Sequence, residues 1–151
     1  MDKRNGRWLA TGAVFLVTAI LLATVAATPP LSAQTTSVSW QRELSSSLRL
    51  ASSSRKWVLV DVYTDWCGWC KRMDRDTFAN PQIVQVLNKS FVCVKADAED
   101  GASGQAVANR YNVNSFPCIL VLEPSGKLRG KIKGFRPPEA FYAALAETLK
   151  Q

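Results

Sequence analysis

Three stretches of the chain lack polar alternation: Trp57–Tyr63, Phe91–Val94 and Cys118–Leu122. Short β-branched runs of this kind predict strands buried on both faces. Asp61 is the one residue in the first stretch that does not fit. A fourth strand is predicted from Lys127 to Lys133, after a turn at Pro124-Ser125-Gly126. Elsewhere the apolar spacing is helical. Trp40, Leu44 and Leu48 recur at i, i+4, i+8 and predict a helix to about Ala51, broken by Ser52-Ser53-Ser54. Lys71–Thr77 reads as helical. Asn80-Pro81 supplies an N-cap and a first-turn proline for a helix through Leu87. A loop from Asp97 to Gly104 precedes a helix through Tyr111. Pro137-Pro138 opens a last helix with Phe141, Leu145 and Leu149 on one stripe. This order predicts an α/β domain, a central mixed β-sheet flanked by helices, its last two strands joined as a hairpin.

The longest apolar run lies before all of these. Lys3, Arg4 and Arg7 precede an uncharged stretch from Trp8 to Ala27. As a helix, 20 residues span ~30 Å, enough for a bilayer. Its densest part, Ala13–Ala23, suits the core of an export signal. Pro29 and Pro30 end it, and Leu31-Ser32-Ala33 offers small residues for cleavage before Gln34. Residues 1–33 are therefore expected to be a signal peptide or, if retained, a membrane anchor through 8–27. Both place the body outside the cytoplasm, soluble after cleavage or anchored to the inner membrane. Residues 34–39 read as a polar linker and 40–151 as the folded domain.

Composition narrows the chemistry. A length of 151 residues leaves room for one domain and a short appendage, and 47% hydrophobic content excludes wholesale disorder. The net charge is +7; losing Asp2, Lys3, Arg4 and Arg7 with the leader leaves 16 basic against 11 acidic residues. There is no histidine, which removes Ser-His-Asp and Cys-His nucleophiles and His-ligated metals. Four cysteines remain: Cys67, Cys70, Cys93 and Cys118.

Cys67 and Cys70 enclose Gly68-Trp69 directly after a predicted strand. Residues at i and i+3 share a helical face with β-carbons ~5–6 Å apart, suited to a disulfide that opens and closes with little backbone movement. Cys67, where strand gives way to helix, lies near unpaired N–H groups that favour a thiolate, and Lys71 adds positive charge. Cys67 is thus expected to be the exposed attacking thiol and Cys70 the resolving one. A zinc or iron–sulfur site would need ligands that the sequence lacks. A static disulfide across so short a loop gains little chain entropy, which favours a redox-active pair.

Val58-Leu59-Val60-Asp61-Val62-Tyr63-Thr64-Asp65-Trp66-Cys67-Gly68-Trp69-Cys70-Lys71 resembles the active-site strand and helix of thioredoxin-fold proteins. The likeness continues through Thr77–Pro81, Phe116-Pro117 and Val121–Lys127 and covers about Trp40 to Leu149. Within that superfamily the chain is most similar to the C-terminal periplasmic domain of the thiol–disulfide interchange protein DsbD and its stand-alone relatives. The resemblance implies the thioredoxin fold and a protein-disulfide oxidoreductase that needs no cofactor or metal. It implies that Asp61 is a buried acid helping to deprotonate Cys70, and that Lys95 accompanies it. A carboxyl group in so apolar a strand would also have its pKa raised by desolvation. Pro117 falls on the family's cis-proline, whose loop would present the Phe116 backbone to an extended substrate strand, with Trp66, Gly68 and Trp69 framing the contact.

Trp69 departs from the proline that thioredoxins usually carry. Intervening residues help set the reduction potential; reduction of protein disulfides is the expected direction, with oxidation or isomerisation as the alternative. A non-catalytic binding module is the other class. Expected partners are protein disulfides and a membrane-embedded thiol donor, with the chain acting as a monomer. Cys93 reads as a small buried hydrophobe; Cys118 follows Pro117 and could approach the site. Lys127, Arg129, Lys131 and Lys133 fall on one face of the fourth strand, as on a protected sheet edge; nucleic acid is the poorer account.

Overall fold

The computed structural model describes residues 36–150. The expected signal or anchor segment, 1–33, and residues 34 and 35 lie outside them. Five strands form one mixed sheet: β1 (Trp40–Gln41), β2 (Trp57–Tyr63), β3 (Phe91–Asp97), β4 (Cys118–Leu122) and β5 (Leu128–Lys133), in the order β1-β3-β2-β4-β5. β1 and β2 run parallel to β3, while β4 is antiparallel to both β2 and β5.

Alternation along β2 and β3 divides the core into two layers. Val58, Val60, Val62, Val92 and Val94 face α1 (Leu44–Ser54) and α4 (Ser103–Arg110). Leu59, Phe91 and Cys93 face α3 (Pro81–Ser90) and α5 (Pro138–Lys150). Asp61 and Lys95, two residues on from Leu59 and Cys93, fall on this second face. They are paired across the sheet in register, and β3 runs three residues past its expected end to bring Lys95 there.

Three further sequence expectations change. Trp40 does not begin a helix: it pairs with Cys93 in β1, and α1 starts at Leu44. A two-residue strand is too short to show alternation, and its four-residue spacing from Leu44 imitated a helical stripe. The serine run does not break α1 but finishes it. The Ser53 and Ser54 hydroxyls donate back to the Leu50 carbonyl at 3.0 and 2.6 Å, and Arg55 caps the helix in the left-handed region at φ 54°. The segment expected to be a linker is docked at its end: Val38 is buried, and Ser37 and Ser39 both bond Asn88. Among the described residues, no helix is long and apolar enough to cross a membrane.

After β2 the chain turns into α2 (Gly68–Arg72), which widens into a π-helical segment, Met73–Thr77, where the Phe78 N–H donates to the Met73 carbonyl at 2.9 Å. Met73 and Thr77 point into the core and Asp74 and Arg75 outward. Gly104 is required where α4 leaves the loop, since a β-carbon there would stand 2.1 Å from the Asp97 carbonyl oxygen.

Candidate redox site

Cys67 and Cys70 are joined as a disulfide with their Cα atoms 5.3 Å apart. Cys67 is the N-cap of α2, and its sulfur accepts the Cys70 N–H at 3.1 Å. That contact places the sulfur of Cys67, and not that of Cys70, among the free N–H groups of the first turn. Exposure does not separate the two as expected. Cys67 is 4% and Cys70 3% exposed, whereas the neighbouring indoles of Trp66 and Trp69 are 67% and 57% exposed. Position on the helix therefore distinguishes the cysteines.

Six residues before Cys67, on β2, lies Asp61, only 1% exposed. Its Oδ2 meets Lys95 Nζ at 2.6 Å, while Oδ1 has no hydrogen-bond partner among the described residues. Burial raises the Asp61 pKa from 3.8 to about 6; the Lys95 ammonium opposes the rise without cancelling it. Burial also works against the charge on Lys95, but Asp61 and Asp74 outweigh it and leave its pKa above the ordinary value. Asp74, reaching from the π-helical segment, forms the second ion pair to the same ammonium. A buried carboxyl group poised near neutrality, with one oxygen unengaged, can accept and return a proton.

The Phe116–Pro117 peptide is cis, with Pro117 buried and Phe116 half-buried. Phe116 packs edge-on against Trp66, centroids 6.2 Å apart, and the Trp66 indole N–H donates to Glu99 at 2.8 Å. Gly68 is exposed between the cysteines, with open space where a side chain would stand. Trp69 stacks on Phe135, and Arg72 lies over both rings. Asp74, Glu99 and Phe135 were not singled out from the sequence. Asp74 and Glu99 sit among ordinary surface charges, and Phe135 is far along the chain, so spacing gave no signal for any of them.

The other cysteines are placed apart. Cys93 is buried in the second layer, and burial pushes its thiol up to about 12. Cys118 pairs with Val62 and faces the first layer; burial raises its pKa as well. A surface hollow of about 360 Å³ between α3 and α5 contains none of these site residues. On β5, Lys131 is not a free surface charge, since it bonds the carbonyls of Tyr111 and Asn112.

A mixed sheet that delivers a helix-capping Cys-Gly-Trp-Cys pair from the end of a buried strand defines a thiol–disulfide oxidoreductase. Residues 44–149 match the family described as "Thioredoxin-like domain", and the chain belongs to it. It is 36% identical over 95 residues to the thiol:disulfide interchange protein DsbD of Pseudomonas fluorescens, a match covering 62% of this chain and 16% of that protein. The chain thus spans about a sixth of the length of that relative. Among solved structures, a DsbH oxidoreductase superimposes with a TM-score of 0.69 at 19% identity, covering 83% of this chain and 92% of that one. The oxidised C-terminal domain of Neisseria meningitidis DsbD gives 0.58 at 22%, covering 69% and 90%. These two likenesses establish the fold.

Proposed function

We propose that this chain reduces protein disulfides outside the cytoplasm and is itself re-reduced by a membrane-embedded thiol donor. The observation that carries this reading is the Asp61 carboxyl, buried on the strand that leads into the cysteine pair, with Oδ1 unengaged among the described residues. In the dithiol form, the Cys67 thiolate attacks a substrate disulfide, forming a mixed disulfide and expelling one substrate thiolate, which takes a proton from solvent. Asp61 then accepts the Cys70 proton. The Cys70 thiolate attacks Cys67 sulfur and the second substrate thiolate leaves, protonated in turn. Two electrons have passed to the substrate, and Cys67–Cys70 is the disulfide seen here. A dithiol donor restores it by the reverse exchange.

Among the described residues, neither backbone polar group of Phe116 is taken by another backbone group, which supports an extended substrate strand adding beside Pro117. The basic flank before Trp8–Ala27 supports export, and the relation to DsbD supports a membrane donor. The test is insulin-disulfide turnover with dithiothreitol as electron source, together with the reduction potential of the pair. Turnover lost in Cys67→Ser, and a potential nearer the thioredoxin value of about −270 mV than the about −120 mV of a strong oxidant, are expected. A potential at the oxidising end, with net oxidation of reduced substrate, would reverse the direction.

A further inference from the structure

The Lys95 ammonium is surrounded by more than its two carboxylates. Its nitrogen lies 4.9 Å from the ring centroid of Tyr63, 5.1 Å from that of Trp40 and 5.6 Å from that of Phe78. All three distances fall within the ~6 Å range over which an aromatic face attracts a cation. The rings come from three separate places: β1, β2 and the residue after the π-helical segment. Trp40 is braced edge-on against Phe78 at 5.0 Å, and Phe78 against Phe141 of α5 at 5.6 Å. Trp40, Arg42, Tyr63, Asp74 and Lys95 also line a surface pocket of about 320 Å³. The lysine therefore has open space on one side into which its flexible stem could turn.

We propose that Trp40, Tyr63 and Phe78 form an aromatic cage that holds the Lys95 ammonium against Asp61, making Trp40 of β1 a positioning residue for the redox centre. The consequence for the reaction rests on the reading of Asp61 as proton acceptor; the cage itself does not. The charged and titratable groups around the ion pair are Asp74 from the π-helical segment, Tyr63 of β2 and, in the same pocket, Arg42 beyond β1, together with the neutral thiol of Cys93 on the same face of β3; Cys118 lies on the other face of the sheet. Asp74 pulls the ammonium outward and Asp61 pulls it inward. The rings favour the position in which both are reached at once. Without a ring at position 40, the lysine spends more time in the pocket beside Asp74, and the Asp61 carboxylate loses its counterion.

Carboxyl-carbon NMR titration of Asp61 in the oxidised full chain reads this without any turnover. Trp40→Leu keeps apolar volume but removes the aromatic face, and the Asp61 midpoint should move up by about 0.5–1 pH unit, as the loss of one ordinary cation–π contact would give. Trp40→Phe restores a face and should return most of the shift; Tyr63→Leu, from a different strand, should repeat it. An unmoved midpoint in Trp40→Leu overturns the cage. So does a downward shift, which would mean that Trp40 acts by excluding water, or an equal shift in Trp40→Phe. The pH profile of disulfide turnover separates the two ideas. If Asp61 titrates as described but the acid limb survives Asp61→Asn, the proton-acceptor reading fails and the cage stands.

Discussion

Trp69 stacks on Phe135 with ring centroids 5.8 Å apart and planes inclined by 27°. A residue between the two cysteines is thereby fixed by one that lies beyond β5, and Arg72 closes the stack 4.7 Å above Phe135. An indole standing free beside the disulfide would lose side-chain entropy whenever a partner docked; this one is already ordered.

Phe135→Leu should therefore weaken docking more than chemistry. Aromatic pairs are worth ~0.5–1.5 kcal/mol beyond burial, so KM for a protein disulfide should rise about 2–10-fold with kcat held. Steady-state kinetics on a folded protein substrate decide it, and an unchanged KM would leave Trp69 outside the contact.

Asp61 couples proton binding to stability. Its folded pKa of about 6 exceeds the ordinary 3.8, so the native state binds the proton more tightly than the unfolded chain. Stability should therefore fall as pH rises through that window and level off above it. At ~1.4 kcal/mol per pH unit the ceiling is ~3 kcal/mol. Urea melts of the oxidised protein should show this decline, and Asp61→Asn should lack it. The same variant should lose about 10²–10⁴-fold in turnover near neutral pH.

The cysteines should behave unequally. Cys70→Ser should trap covalent adducts with partners, visible on non-reducing gels and released by dithiothreitol, whereas Cys67→Ser should trap none. Because Cys118 faces the opposite layer of the sheet from Asp61, adding Cys118→Ser should not change the yield of adducts. Activity retained in Cys70→Ser and lost only in the double variant would make Cys118 the resolving thiol.

For the leader, mass spectrometry of the cell-purified chain should find a mature N-terminus at Gln34 or an intact segment 8–27 in the membrane fraction. A full-length chain in the cytoplasm would contradict export.

The sheet was legible because β2 and β4 are covered on both faces and advertise it as unbroken apolar runs. β3 was read only in part: Lys95 and Asp97 are polar, and nothing local tells that a lysine is neutralised from another strand. Asp61 stood out for the opposite reason, as a charge amid valines. The cysteine spacing gave the chemistry, but not the depth of the pair, which local spacing does not encode. Trp40 was misplaced because a helical interval of four residues says nothing about which side of Leu44 the helix begins. Asp74 could not be found, since its partner lies 21 residues away and its orientation depends on the wider turn.

That wider turn has an evolutionary reading. A π-helical segment accommodates one residue more than an α-helical turn spanning the same length. Deleting a single residue between Met73 and Phe78 would let the segment close to α-helical pitch while the residues flanking it kept their places. The helix would persist with Phe78 still in the core, but the side chains inside the segment would be re-aimed, and Asp74 would no longer be held against Lys95. A homologue lacking this residue would have to rebuild the lysine's surroundings from other positions. Gaps at this point in sequence comparisons therefore mark a change in how the buried acid is managed, even where both cysteines are retained.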